Sequence, residues 1–213
     1  MDRLIILGAG PHAHEMADIV RLVNRVTPTW DLLGFLVPKA QAERVGARTG
    51  CGDEILGTYA DIGHYSDAWF VPEVNCGCPD VPLARLVSLI APAAFIAGTA
   101  RIGKGSVIYP NCFVGHNAAL GERNFVLCGS VVNHDVCLED DVTVCSGVTL
   151  AGFVRVEQGC YLGQACTIKQ YVHIGKGSLI GMGCVVLHDV PPNSMMVGNP
   201  ARRLGDKTAS GSA

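Results

Sequence analysis

The feature that most constrains this chain is a period of six. From Ile96 onward every sixth residue is aliphatic: Ile96, Ile102, Ile108, Val114, Leu120, Val126, Val132, Leu138, Val144, Leu150, Val156, Leu162, Ile168, Ile174, Ile180 and Val186, with no insertion. Four residues after each of these stands a small or β-branched residue: Ala100, Ser106, Cys112, Ala118, Ser130, Val136, Val142, Val148, Val154, Cys160, Cys166, Val172, Ser178, Cys184 and Val190. Only Asn124 breaks that second column. A repeat this short, with one long and one small inward residue, predicts a two-residue strand plus a corner, stacked in a solenoid whose coils satisfy one another's backbone groups. Three hexads make one triangular coil of eighteen residues, so residues 96 to about 190 predict roughly five coils, each adding ~4.8 Å. Gly103, Gly115, Gly121, Gly163, Gly175 and Gly181 follow the aliphatic residue, where a turn of positive φ is expected.

Residues 1–91 lack the period and read as a small α/β domain with a parallel sheet. Arg3–Gly8 is an apolar strand, Gly8-Ala-Gly10 a turn, and His12–Val23 a helix by its apolar spacing. Leu32–Leu36 and Trp69–Pro72 read as further strands, and Pro82–Ile90 as the last helix. The solenoid domain is expected over 92–204, and the small polar residues 205–213 as a disordered tail.

The formal net charge of −3 offers nothing to a nucleic-acid backbone, and a small-molecule partner is the expectation. Only four apolar residues precede Gly8 and no run approaches a membrane span, so the reading is a cytoplasmic protein with no membrane insertion and reduced cysteines. Cys112, Cys160, Cys166 and Cys184 fall in the small core column. The spacing of the ten cysteines matches no common zinc pattern; Cys76-Gly-Cys78 with Cys51 is the one set that could bind a metal, ordinary loop or core thiols are the favoured reading of those three, and no metal is expected.

The turn at Gly8 and Gly10 lies where doubly wound folds hold phosphates on a helix N-terminus. A dinucleotide fingerprint is incomplete, because Ala13 replaces the third glycine and Asp31 precedes its strand rather than ending it. A nucleotide-sugar phosphate and a purely structural turn are equally open.

The sharper signal is Val132-Asn-His134-Asp135-Val-Cys-Leu138. His134 falls at an outward corner, where the core has no use for it; an imidazole suits a general base, and Asp135 would orient it. Steps of eighteen put His116, Gly152, Gln170 and His188 on the same corner. Gly152, directly above the base, leaves room for a thioester and offers its N–H to a developing oxyanion. A covalent route through Cys145 lacks a neighbouring histidine and is less expected than direct transfer. A zinc hydrase on the same solenoid would need two histidines five residues apart, but five beyond His134 is Glu139 and five beyond His116 is Gly121.

Together the Gly-x-Gly-x-His start, Leu56-Gly-Thr58, the unbroken hexads, Asn-His134-Asp135-Val-Cys, Leu150-Ala-Gly152 and Val197-Gly-Asn-Pro-Ala201 resemble the NeuD/PglD family. Its members are sialic-acid O-acetyltransferases and nucleotide-amino-sugar N-acetyltransferases of bacterial glycan synthesis. The resemblance implies an N-terminal Rossmann-like domain that holds a UDP- or GDP-amino sugar, followed by a left-handed parallel β-helix. It also implies a homotrimer with acetyl-CoA in grooves between copies. Carried onto this sequence, it makes His134 the base, Asp135 its partner and Gly152 the donor to the acetyl carbonyl. Gln164, Gly181 and Met182 would line the pantetheine groove; Gly8, Gly10 and His12 would lie near the nucleotide, with His116 on the substrate side. The chain departs from the family at Phe35-Leu-Val37-Pro38-Lys39, where members carry an aspartate pair, and at Leu127-Cys128, where members carry Asn-Thr. O-acetylation of a sugar hydroxyl and a non-catalytic sugar-nucleotide-binding role are the competing expectations.

Overall fold

The computed structural model describes residues 1–74, 79 and 81–206. Its chain contacts divide into two compact units: Met1–Pro92 together with Lys104–Val107, and Ala93–Gly103 together with the chain from Ile108 onward.

In the first unit, β1 (Asp2–Leu7), β2 (Trp30–Val37), β3 (Ile55–Thr58) and β4 (Trp69–Pro72) form an all-parallel sheet in the order β3-β2-β1-β4. Among the described residues the one α-helix, α1 (Pro11–Val26), follows β1. Pro11 starts it because the first helical position needs no N–H, and Ala13, Met16, Ala17, Ile19 and Val20 form its buried stripe. The centre of the sheet is dry: Leu4, Ile5, Ile6, Leu7, Phe35, Leu36, Phe70 and Val71 are fully buried.

The expected helix over Pro82–Ile90 does not form. Leu83–Arg85 makes one 3₁₀ turn, and Leu89–Ile90 is a short strand. Val87 N–H donates to Phe70 O at 3.0 Å, and Phe70 pairs with Leu86 in a parallel bridge. Burial of Leu86 and Leu89 in extended backbone therefore overrides a spacing that also suits a helix.

The second unit is a parallel β-solenoid. Two-residue strands recur at the expected period, and each pairs in parallel with the strand eighteen residues away, as in Leu120↔Leu138 and Val132↔Leu150. Sheets of five and six strands form two of its faces, and a third parallel sheet, which includes Phe125–Val126, Thr143–Val144, Tyr161–Leu162 and Leu179–Ile180, forms the other. The aliphatic column from Ile108 to Val186 is buried, as are the small residues from Ser106 to Val190, the four core cysteines included. Ile96, Ala100 and Ile102, in the first hexads, are half-buried. Asn124 keeps its place in the small column because its Oδ1 accepts the Val142 N–H at 2.8 Å. After the last hexads, Ser194–Val197 pairs antiparallel with Arg202–Asp206, so the strand runs into residues 205 and 206 of the expected tail. Residues 207–213 lie outside the described residues.

The corners correct the expectation about glycine. Positive φ recurs at every sixth residue from Gly105 to Gly183, three residues after each aliphatic position, and Asn111, Asn117, Arg123, Asp135, Asp141, Phe153, Ala165 and Tyr171 share it with glycines. Gly103, Gly115, Gly121, Gly163, Gly175 and Gly181 do not adopt it. At Gly103 an added Cβ would meet the Gly121 carbonyl carbon at 2.4 Å, and at Gly163 the Ile180 oxygen at 2.7 Å. These glycines are there because adjacent coils approach closely, not because of their own φ.

Candidate active site

His134 and Asp135 sit on the corner that follows the six-stranded face. Asp135 takes the left-handed conformation (φ 58°), tolerable for a short polar side chain, and its N–H donates to His116 O at 2.9 Å. That turn brings its carboxylate to the imidazole: Asp135 Oδ2 lies 2.9 Å from His134 Nδ1. Asn117, one coil earlier, donates to the other oxygen, Oδ1, at 3.3 Å. The hydrogen bond from His134 holds the Asp135 carboxyl below the usual carboxylate range. The pair is accordingly an ionised carboxylate facing Nδ1, which leaves Nε2 as the nitrogen with a free edge.

Gly152 lies in the next coil against the ring. A Cβ there would stand 2.5 Å from His134 Cε1 and 2.7 Å from Nε2, so the imidazole occupies the space that any side chain would take. Among the described residues the Gly152 N–H has no hydrogen-bond acceptor. His116, one coil before His134, is exposed, with Nδ1 2.8 Å from Thr99 Oγ1.

The sequence reading passed over two further residues of this corner. Phe153 meets the His134 ring at 5.3 Å and 84° and stacks on Tyr171, one coil further, at 4.9 Å and 13°. The signal for them was available: both stand eighteen-residue steps from Asp135.

Gln164 and Met182 stack on the other corner of the six-stranded face, the one that precedes it, in a column with Cys128 and Ser146; Met182 is 74% exposed. Gly181 N–H donates to Met196 O at 2.8 Å. The structure thus gathers His116, His134, Asp135 and Gly152, and puts Gln164, Gly181 and Met182 elsewhere on the same chain. Cys145 is buried, its thiol pushed up by that burial; it bonds the Tyr161 hydroxyl, which is in turn pushed up to about 12. A thiol in that state is a poor nucleophile.

In the first unit the glycine turn is filled from within. Gly10 N–H donates to Glu73 Oε2 at 3.0 Å and Ala13 N–H to Oε1 at 3.2 Å. A Cβ on Gly8 (φ +110°) or Gly10 would stand 2.3 or 2.5 Å from that carboxylate. The glycines therefore make room for Glu73, which is the anion at the start of α1; a phosphate entering there must displace it. His12 Nδ1 lies 2.9 Å from Glu15 Oε2.

Among the described residues no three histidine, cysteine or acidic side chains cluster to hold a metal, and no helix is long and apolar enough to cross a membrane. Cys76 and Cys78 lie outside the described residues.

The unbroken hexads and stacked corners define a protein of the hexapeptide-repeat β-solenoid class. No family model matches the chain, and no curated protein matches it in sequence. Among solved structures it is similar to the acetyltransferase domain of PglB from Neisseria gonorrhoeae, solved in complex with acetyl coenzyme A, at 24% identity over 95% of this chain and 99% of that one, with a TM-score of 0.83. It is also similar to PerB from Caulobacter crescentus, solved with CoA and GDP-perosamine, at 20% identity over 96% and 98% of the two chains, TM-score 0.80. A third likeness is to WeeI from Acinetobacter baumannii, at 25% identity over 94% and 99%, TM-score 0.77. Both units are spanned in all three, which establishes the fold they share.

Proposed function

We propose that this chain is an acetyl-CoA-dependent N-acetyltransferase of the NeuD/PglD family, acting on the amine of a UDP- or GDP-linked 4-amino sugar in bacterial glycan synthesis. The observation that carries the reading is the His134–Asp135 pair set against Gly152, a residue with no side chain and a free N–H. The solved neighbours that bind acetyl coenzyme A, or CoA with GDP-perosamine, support the substrate class. The same reading makes the solenoid left-handed, the first unit Rossmann-like, the protein cytoplasmic and the assembly a homotrimer. A trimer accounts for the separation of Gln164, Gly181 and Met182 from His134: a groove between copies would line one chain's donor corner with the next chain's base.

The donor supplies an activated acyl thioester. His134 Nε2 accepts the proton that the acceptor amine loses as its nitrogen bonds to the acyl carbon, and returns it to sulfur as the C–S bond breaks. Asp135 keeps the Nδ1–H tautomer and stabilises the imidazolium between those two transfers. Gly152 N–H donates to the carbonyl oxygen as it becomes anionic. Gly8, Gly10 and His12 stand near the nucleotide end of the acceptor in this reading, with Glu73 rather than a phosphate closing the turn, and His116 on the acceptor side of the base.

The test is thiol release from acetyl-CoA with a panel of UDP- and GDP-linked 4-amino sugars plus free sialic acid, wild type against His134→Ala. One amino sugar should support turnover, and the variant should lose on the order of 10²-fold or more, the worth of a general base. A variant that keeps its rate removes His134 from the mechanism; turnover with sialic acid alone moves the activity to a hydroxyl.

A further inference from the structure

We infer that His116 is held as the neutral Nε2–H tautomer and donates a hydrogen bond to the acceptor sugar, at the hydroxyl oxygen on the carbon next to the amine that His134 deprotonates. The inference rests on the acyl-transfer reading and names, within it, a group the acceptor sugar must carry.

Neighbouring coils share one chain of hydrogen bonds, and its direction can be counted from the Asp135 end. The Asp135 carboxyl, held below the usual carboxylate range, accepts at both oxygens. Oδ2 therefore takes the proton on His134 Nδ1, at 2.9 Å, and Oδ1 takes the Asn117 side-chain amide, at 3.3 Å. The Asn117 backbone N–H donates in turn to Thr99 Oγ1, one coil earlier, at 2.9 Å. Thr99 is left with its own hydroxyl proton to place, and among the described residues His116 Nδ1, at 2.8 Å, is its partner. A ring nitrogen that accepts a hydrogen bond carries no proton, which assigns the His116 proton to Nε2. The two histidines, one coil apart in the same column, thus have opposite tautomers: His134 presents a bare Nε2 and His116 an Nε2–H.

The surroundings leave both nitrogens to a ligand. His116 and His134 are exposed, and His116 Nε2 has no partner among the described residues. Gly152 follows the pair in the column; before it, a Cβ added at Gly98 would meet nothing within 4 Å. Backbone bonds join the coils here, Asp135 N–H donating to His116 O at 2.9 Å. The two residues therefore stand one rung apart, ~4.8 Å, a span that neighbouring substituents of one sugar ring can bridge. A bare nitrogen suits the N–H of an amine, and an N–H suits the oxygen beside it. The pair accordingly fixes which way round the acceptor lies, with nitrogen at His134 and oxygen at His116.

Two measurements test this. Nitrogen-15 spectra of the histidine rings in the full chain report the tautomers without any ligand, at about pH 8.5, about two units above the ordinary histidine value. His116 should be Nε2–H and His134 Nδ1–H, with signals assigned by His116→Gln and His134→Ala; Thr99→Val should release His116 to a mixture of tautomers, and Thr99→Ser should preserve the wild-type one. Kinetics then read the contact. With the 4-amino sugar that supports turnover, His116→Leu should raise the acceptor KM about 3–10-fold, the loss of one neutral hydrogen bond, more than it lowers kcat and with the donor KM held. His116→Gln, whose side-chain amide also donates, should recover most of that loss. Removing the neighbouring hydroxyl from the acceptor should raise the wild-type KM by the same factor and that of His116→Leu no further. An Nδ1–H tautomer at His116, or a wild type indifferent to the hydroxyl, overturns the inference and leaves acyl transfer standing. A donor KM that rises in step with the acceptor's marks a disturbed corner and overturns it too. Turnover with no acceptor at all overturns both.

Discussion

Two corners of the solenoid share one backbone conformation and differ in almost everything else. At the corner carrying Arg123 and Asp141, the guanidinium makes two bonds to the carboxylate, Nε to Oδ1 at 2.7 Å and Nη2 to Oδ2 at 2.8 Å. Asp140 accepts the Glu122 N–H at 2.8 Å, and Gln158 adds a bond to Asp141 at 3.3 Å. Side chains there tie the coils that carry Arg123, Asp141 and Gln158 to one another. At the corner carrying His134 and Asp135, the imidazole keeps one nitrogen free, Gly152 offers an unused N–H, and aromatic rings stand in solvent. The comparison teaches that stacking alone needs no such residues: the Arg123 corner spends its charged groups on one another, whereas the His134 corner, although Asn117 ties Asp135 to the coil before it, leaves the imidazole Nε2 and the Gly152 N–H open. Groups left open beside a well-tied neighbour mark where a ligand completes the structure.

The contrast can be broken most severely at the base, where His134→Ala should cost the 10²-fold or more set out above. Next comes Gly152→Ala. Its methyl would stand 2.5 Å from His134 Cε1, so the ring must swing away; turnover should fall about 10–10²-fold with acceptor and donor KM little changed, since the lost interaction belongs to the transition state. A rate within twofold of wild type would show that the imidazole has another working position. Asp135→Asn should follow, lowering kcat about tenfold by weakening the preference for the Nδ1–H tautomer; an unchanged pH–rate profile in this variant would count against that role.

The smallest effects belong to the tied corner. Arg123→Ala should leave turnover unaltered and lower stability by at most about 1 kcal/mol, because the pair is partly solvated. Its pH dependence has a definite sign. Burial raises the Asp141 carboxyl, but the bonds from Arg123 and Gln158 outweigh it and the net shift is downward. A carboxyl lowered in the folded state adds stability above its unfolded pKa, near 3.9, and that stability is lost as pH falls through the folded value. Acid melts of wild type should therefore steepen below about pH 4, and Arg123→Ala should show a shallower loss in the same window.

Much of the second unit was legible because the same physical rule repeats. One long and one small inward residue per hexad are read directly from Ile108 to Val190, and the step of eighteen aligns His134 with Gly152 without any structure. What the period concealed was the identity of the turn residue. Left-handed corners fall on Asn, Asp, Arg and aromatics as well as on glycine, so glycine frequency points to the wrong position; the glycines that do recur answer to the coil packed against them. Phe153 escaped notice for the same reason: its one signal, the eighteen-residue step from Asp135, gains meaning only once the left-handed corner is placed at Asp135. In the first unit Glu73 reaches Gly10 across 63 residues of sequence, and no pattern near the turn announces it. The expectation of a helix over Pro82–Ile90 failed because its apolar spacing suits either a helix or buried extended chain, and the pairing of Phe70 with Leu86 decides between them.

The unbroken register of eighteen has a consequence for how such a chain can change. Because each rung repeats the last without a loop, removing or duplicating any eighteen consecutive residues within the hexads leaves every remaining side chain on its original face. The molecule can therefore be lengthened only in whole rungs of ~4.8 Å, and the distance from His134 to either end of the solenoid is a whole-number choice. An insertion of any other length turns the base toward a different neighbour, so the protein works as a ruler whose smallest division is one coil.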